Sequence, residues 1–241
     1  MVFISPTVNA LSISIRVIGK KLVRDFSEIE SLQSSKRGTK IFSSNSFKKI
    51  KANLLLSLKK IKPNFKIYEI NETLNDLEDS WVIVPIDGID NFEHAIPHFS
   101  IGVGIKQNNT ITSCVIYDPI KDEMFSSSKG KGSFLNDFRI RVSDRKINDN
   151  LLLSIDQINK DNELFLKNFT KVRILGSSLL DYCYLASGKI DTILQCHINS
   201  NYFKFGELLI SESGGVIKNI LSNNYFIAAN KNIEKKISDF F

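Results

Sequence analysis

The stretch that most constrains the fold is Trp81 to Phe92, WVIVPIDGIDNF. Trp81, Val82, Ile83 and Val84 form a short apolar run of β-prone residues, the pattern of a buried strand. Pro85 and Gly88 break that run where Asp87 and Asp90 sit. A carboxylate at the end of a buried strand is a geometry suited to a metal site, and the other segments are placed around this one.

Upstream, Ser5-Pro6 joins an N-cap to proline at the first helical position. Val8, Leu11, Ile15, Ile18, Leu22 and Phe26 then recur at spacings of three and four. This predicts an amphipathic helix of about five turns. A second series, Phe47, Ile50, Leu54, Leu58 and Ile61, closes at Pro63 and predicts the next helix. Between them Lys36 to Ser46, KRGTKIFSSNS, reads as a polar loop around Gly38. Phe65 and Ile67 lead to Glu69 at a strand end, followed by an acidic, polar loop from Asn71 to Ser80.

Downstream, Ser100 to Lys106 and Thr110 to Tyr117 read as strands joined at Gln107-Asn108-Asn109 in a hairpin. The glycines of Lys129 to Asn136 read as tight turns rather than a phosphate cradle. From Leu151 short β runs alternate with helices: Leu151 to Ile155, Asn162 to Phe169, Val172 to Ile174, Leu179 to Ala186 and Ile190 to Leu194. This change sets an expected division into residues 1–145, an α+β half with an antiparallel sheet, and 146–241, an α/β half. Gly176, Ser177 and Ser178 open a helix whose unpaired N–H groups suit an anion.

With 241 residues, 42% of them apolar, the chain can bury a large core. No run approaches the roughly 18 apolar residues of a membrane span, and MVFISPTVNALSI has no basic region before a long apolar segment. The expectation is a cytoplasmic protein with no membrane partner. Cys114, Cys183 and Cys196 have no paired spacing, which predicts buried free thiols. The net charge of +6 is spread along the chain. Its densest cluster, Lys48, Lys49, Lys51, Lys59 and Lys60, reads as the solvated face of a helix.

The Trp81 to Phe92 stretch resembles the signature of the inositol monophosphatase family, W-x-x-D-P-x-D-G-T-x-N-F. Pro85, Asp87, Gly88, Asn91 and Phe92 match, while the first Asp falls on Val84 and the Thr on Ile89. Glu69, 18 residues before Asp87, matches the metal-bridging Glu of Gly-Glu-Glu. Lys129 to Asn136 and Arg139 to Ser143 resemble the segment around G-x-G-A-F-x-N-G, and Ser211-Glu212-Ser213-Gly214-Gly215 resembles T-E-A-G-G. Phe226 to Asn230 and a closing helix to Phe240 complete a resemblance that covers nearly the whole chain.

The resemblance implies the layered α/β/α/β/α sandwich of the inositol monophosphatase and fructose-1,6-bisphosphatase-like superfamily. It implies magnesium held by Glu69, Asp87 and the Ile86 carbonyl, with Glu69 and Asp87 as the catalytic acids. It further implies substrate contacts from Asp87, Gly88, Ile89, Gly176, Ser177, Ser178 and Gln195. Other family positions are altered: the loop acids fall on Lys40 and Ser46, and the Trp-Asp pair that begins the later helix falls on Asn201 and Tyr202. Asp90, Glu72 and Glu207 are the acids nearest to a rescue and read as surface or turn residues.

The functional expectation is a family member of the bacterial extragenic-suppressor type, with Mg-dependent phosphatase activity lost or strongly reduced, acting as a binding or regulatory protein. The alternative is an active Mg-dependent monoesterase on inositol 1-phosphate or a related sugar or nucleotide phosphate. A third reading is sensing of a phosphorylated metabolite at Gly88, Gly176 and Ser177. By family analogy the expected partners are a second copy in a homodimer, a phosphorylated small molecule, and a transcription complex or RNA. His94 and His98 lack the Glu of a zinc-protease helix, and Ser177 and Ser178 lack a His and acid at recognisable spacing.

Overall fold

The computed structural model describes residues 5–73, 78–146, 149–159, 163–167, 169, 171–196, 200–220 and 225–237. They fall into two compact units, Met1–Ser126 and Ser127–Phe241.

The first unit begins with two long helices, α1 (Pro6–Ser31) and α2 (Lys36–Ile61). The Ser5 hydroxyl accepts from the Val8 N–H at 3.2 Å, and Pro6 occupies the first turn. The predicted stripe is buried as expected and continues through Ile29, which makes α1 longer than its sequence pattern suggested. The strands are β1 (Lys66–Glu69), β2 (Ser80–Asp87), β3 (Ser100–Gln107), β4 (Thr110–Asp118) and β5 (Glu123–Ser128), in that order across the sheet. The short helix α3 (Ile89–Glu93) follows β2. β3 pairs antiparallel with β2 and β4, but β1 lies parallel to β2, so this sheet is not wholly antiparallel. Asn108 and Asn109 take positive φ of 47° and 58° in the β3–β4 hairpin, as a two-residue turn demands. The α1 and α2 stripes pack with Trp81, Ile83, Phe92, Phe99, Ile101 and Val103 into one core.

One expectation is overturned here. Lys36 to Ser46 is the first part of α2 rather than a loop. Ser35 caps it, accepting from the Gly38 N–H at 3.2 Å. The inward positions of this part are Thr39, Ser43 and Ser46, all buried. Their hydroxyls are satisfied locally or by a neighbour: Thr39 donates to the Lys36 carbonyl at 3.1 Å, Ser43 to the Lys40 carbonyl at 3.1 Å, and Ser46 to Asp25. Small hydroxylated residues can therefore line a buried helical face that hydropathy alone reads as a loop.

The second unit contains the hairpin of β6 (Gly132–Leu135) and β7 (Phe138–Arg139), then β8 (Leu152–Ile155), α4 (Glu163–Leu166), β9 (Lys171–Arg173), α5 (Ser178–Ala186), β10 (Thr192–Cys196), α6 (Ser200–Glu212), β11 (Val216–Ile220), β12 (Tyr225–Ala229) and α7 (Lys231–Ile237). Of the expected helix at Asn162 to Phe169 the described helical part is Glu163–Leu166, with Asn162 outside the described residues, and the expected closing helix is described to Ile237. The expected strand at Ile190 to Leu194 lies two residues later, because Asp191 is spent as a clamp. Its carboxylate accepts from Ser143 Oγ, Arg145 Nη1 and the Leu152 N–H at 2.8–2.9 Å.

The sheet of this unit runs β11-β12-β10-β8-β9, with β8 parallel to both β9 and β10, and β12 antiparallel to β10 and β11. Leu153, Ile155, Leu194 and Cys196 point to one face, in a core with Phe169, Tyr225 and Ile233. All three cysteines are buried and form no disulfide, as their spacing predicted. Among the described residues no helix is long and apolar enough to cross a membrane.

Candidate functional site

In the first unit, β2 carries the signature, and every one of its residues is buried. Val84 faces Gly102 and Asp87 faces Ser100, so one extra residue bulges out of β2 between these pairs. A bulge kinks a strand and re-aims its side chains, a device common beside functional sites. It leaves Val84, Ile86 and Asp87 only 2%, 4% and 6% exposed. Gly88 follows in the left-handed region (φ 79°, ψ 41°) and caps α3, a conformation that a side chain would strain. Ile89 packs on the core, Phe92 is buried, and Asn91 Nδ2 donates to the His98 carbonyl at 2.8 Å. These signature positions shape and fasten the turn.

Glu69 ends β1 opposite Ile83. Its N–H donates to Glu72 Oε2 at 2.9 Å, and its carboxylate is ion-paired with Lys51 from α2. Ser46 is fully buried and donates to Asp25 Oδ2 at 2.6 Å, with Lys49 Nζ 4.0 Å from the same oxygen. Lys40 and Asp90 are exposed. The His98 imidazole titrates below its ordinary range, because burial and then the Lys121 charge disfavour its cation, with Asp118 opposing.

In the second unit, Gly176 takes a positive φ of 80° and Ser177 caps α5, its hydroxyl 3.4 Å from the Leu180 N–H. Ser177 is 1% exposed and Ser178 is half-buried. Gln195 is fully buried near the end of β10: its Oε1 accepts from Tyr182 OH at 2.6 Å, and its Nε2 is buried with no hydrogen-bond partner among the described residues. Beside it, at the end of the parallel strand β8, Asp156 Oδ2 accepts from the Cys196 N–H at 2.8 Å while Oδ1 is buried with no hydrogen-bond partner among the described residues. Burial pushes the Asp156 carboxyl above its ordinary range, against the backbone donors that lower it. Tyr202 is half-buried on the first turn of α6, and Glu207 is exposed. The glycine-rich turn is closed by the chain itself, since the Glu212 carboxylate accepts from the Gly130 and Gly132 N–H groups at 2.6 and 2.8 Å.

Lys51, Asp25, Tyr182 and Asp156 were not singled out from the sequence as site residues. Lys51 carried one usable signal: it directly follows Ile50 of the buried stripe, at the edge of the inward face.

Magnesium demands near-octahedral oxygen ligation. Val84 and Ile89 offer no side-chain oxygen, Glu69 is paired with an ammonium, and Tyr202 carries a phenol where the resemblance places a carboxylate. Among the described residues no three His, Cys, Asp or Glu side chains gather as a metal-binding group. The donors present do not fit the metal cluster that the resemblance implies.

The family model of the inositol monophosphatase family matches residues 9–237. The chain belongs to the inositol monophosphatase family. Among curated relatives, it is 30% identical over 238 residues to an inositol-1-monophosphatase of Mesorhizobium japonicum, covering 91% of this chain and 90% of that protein. It is 28% identical over 242 residues to the Nus factor SuhB of Escherichia coli K12, covering 93% and 90%. Among solved structures, the extragenic suppressor protein SuhB from Bartonella henselae superposes with a TM-score of 0.84 at 26% identity, over 98% of both chains. The fold is accordingly the mixed α+β, layered sandwich of the inositol monophosphatase family.

Proposed function

We propose that this inositol monophosphatase family member has lost most or all Mg-dependent phosphatase activity and works as a binding or regulatory protein. The observation that carries this reading is the Ser46–Asp25 bond within the α1–α2 pair. Where the resemblance calls for an acid-bearing loop that holds a metal and the attacking water, the chain has a helix with a buried serine turned onto α1. Buried Val84 adds to it, replacing a carboxylate with an apolar side chain at the strand end. Metal polarisation and water activation supply several kcal/mol of transition-state stabilisation, and a site short of oxygen ligands forfeits most of it.

The relation to SuhB, named a Nus factor in Escherichia coli, supports a transcription-complex partner; an RNA partner, a homodimer and a cytoplasmic location are carried over from the family resemblance alone. Affinity capture from lysate of the source cell, followed by mass spectrometry and RNA analysis, tests this: recovery of neither RNA polymerase components nor RNA removes the transcription role. A second reading, an active monoesterase on inositol 1-phosphate or a related phosphate, draws on the surviving Glu69 and Asp87 and on the relative named inositol-1-monophosphatase. Turnover abolished by a chelator and by Glu69→Gln is the result that favours it.

A further inference from the structure

We propose that the outer groove of the α1–α2 pair is a docking surface for an acidic amphipathic helix of a partner protein. The proposal rests on the reading of this chain as a binding protein, and names the surface and the chemistry of the partner. α2 carries eight Lys or Arg residues and no Asp or Glu, so this one helix exceeds the +6 net charge of the whole chain. Its lysines read from the sequence as a solvated face, and α1 turns part of that face into the wall of a groove. The Ser46–Asp25 and Lys21–Asn53 bonds align the two helices antiparallel. Between them lies a groove of about 380 Å³, walled by Lys21, Arg24 and Glu28 of α1 and by Lys49 and Asn53 of α2. Asp25 also lines it, but its carboxylate is committed to Ser46, which leaves Glu28 as the acid at the rim.

The bordering strips continue the groove. On α1, Ile13 and Val17 precede Lys21 at four-residue steps, and on α2, Leu56 and Lys60 follow Asn53 at steps of three and four. Ile13, Val17 and Leu56 are 61%, 56% and 65% exposed, while the buried stripes of both helices face the core. Arg24 and Lys60 are exposed and form no ion pair among the described residues. Charge and apolarity together select the occupant: carboxylates complement Arg24, Lys49 and Lys60, and aliphatic side chains cover Ile13, Val17 and Leu56, the pattern of a helix laid in a groove. From Ile13 to Glu28, α1 offers about 22 Å, room for roughly four turns of such a helix. Single-stranded RNA calls for aromatic platforms, and the exposed apolar residues of this face are aliphatic. A membrane surface calls for an apolar face that inserts, whereas α1 and α2 bury their apolar stripes in the core. A second copy docked two-fold through this face would set the charge of α2 against itself.

The probe is a synthetic peptide of about 16 residues with Leu and Glu at helical spacing, compared by fluorescence anisotropy with a scrambled peptide of the same composition. Wild type is expected to bind the helical peptide about tenfold more tightly than the scrambled one. The exposed double variants Arg24→Glu/Lys60→Glu and Val17→Ser/Leu56→Ser, checked for folding by circular dichroism, are each expected to weaken binding about tenfold. The control Lys129→Glu/Lys131→Glu, on an exposed turn of the second unit, makes the same change in net charge and is expected to leave binding unchanged. No binding, equal binding of the scrambled peptide, a matching loss in the control, or no loss in V17S/L56S overturns the proposal. Tighter binding of a single-stranded RNA or of phosphatidylserine vesicles, abolished by R24E/K60E, overturns it too and gives the face to that partner. The reading of lost phosphatase activity fails separately, if wild type releases phosphate in a metal-dependent way.

Discussion

Ser46 stands where the resemblance places an acid. It is fully buried, and its proton is committed to Asp25 at 2.6 Å. Ser46→Asp, which introduces the acid that the resemblance places here, sets a second carboxylate against Asp25, with Lys49 Nζ 4.0 Å away. We expect destabilisation of about 2–4 kcal/mol in urea unfolding and no gain of phosphatase activity. A stable, more active S46D protein would mean that the position still serves a metal.

Tyr117 gives the clearest pH signature. Burial, followed by the hydrogen bond to Asp122 and that residue's charge, pushes its phenol up to about 12, with Arg16 opposing. The unfolded chain releases this proton near 10, two pH units before the fold does. The Tyr117 contribution is therefore complete below pH about 10 and declines as pH rises toward about 12. Denaturant titrations at pH about 9 and about 11 should show a smaller loss for Tyr117→Phe than for wild type. Equal losses would place the titration elsewhere.

Among the elements, α1 and the β3–β4 hairpin were legible because their signals are apolar and periodic: an unbroken stripe from Val8 to Phe26, and an Asn-Asn turn between alternating strands. The first part of α2 was illegible for the converse reason, since its inward face is threonine and serine and its helical period is carried by hydroxyl groups. The strand end at Asp87 was readable as a turn, but Lys51 looked like one surface lysine among several until α2 carried it to Glu69.

The contact of α1 with β4 offers its own test. A Cβ on Gly19 would lie 2.4 and 2.8 Å from Tyr117 ring carbons. That ring is pinned by its 2.8 Å bond to Asp122, which Arg16 also grips at 3.0 Å. Gly→Ala inside a helix ordinarily gains about 1 kcal/mol. Here overlap reverses the sign, and Gly19→Ala should cost about 1–2 kcal/mol by chemical unfolding. A neutral or stabilising result would show that the helix slides freely on β4.

On the scale of the whole molecule, family membership was legible because turn and core residues keep their identities: Gly88, Asn91, Phe92 and the Glu212 clamp on the glycine-rich turn all serve backbone geometry. The departures from the signature, such as Val84 and Ile89, fall at positions to which the resemblance assigns chemistry rather than the shape of the turn. Packing and catalysis draw on different residues, so the architecture alone does not fix the activity. The central claim, that this architecture no longer supports metal-dependent hydrolysis, is tested most directly by phosphate release from inositol 1-phosphate and a small panel of sugar and nucleotide phosphates. Folded, monodisperse protein would be assayed with Mg²⁺ and with a chelator. The account predicts background release under both conditions; turnover well above background that needs Mg²⁺ would contradict it.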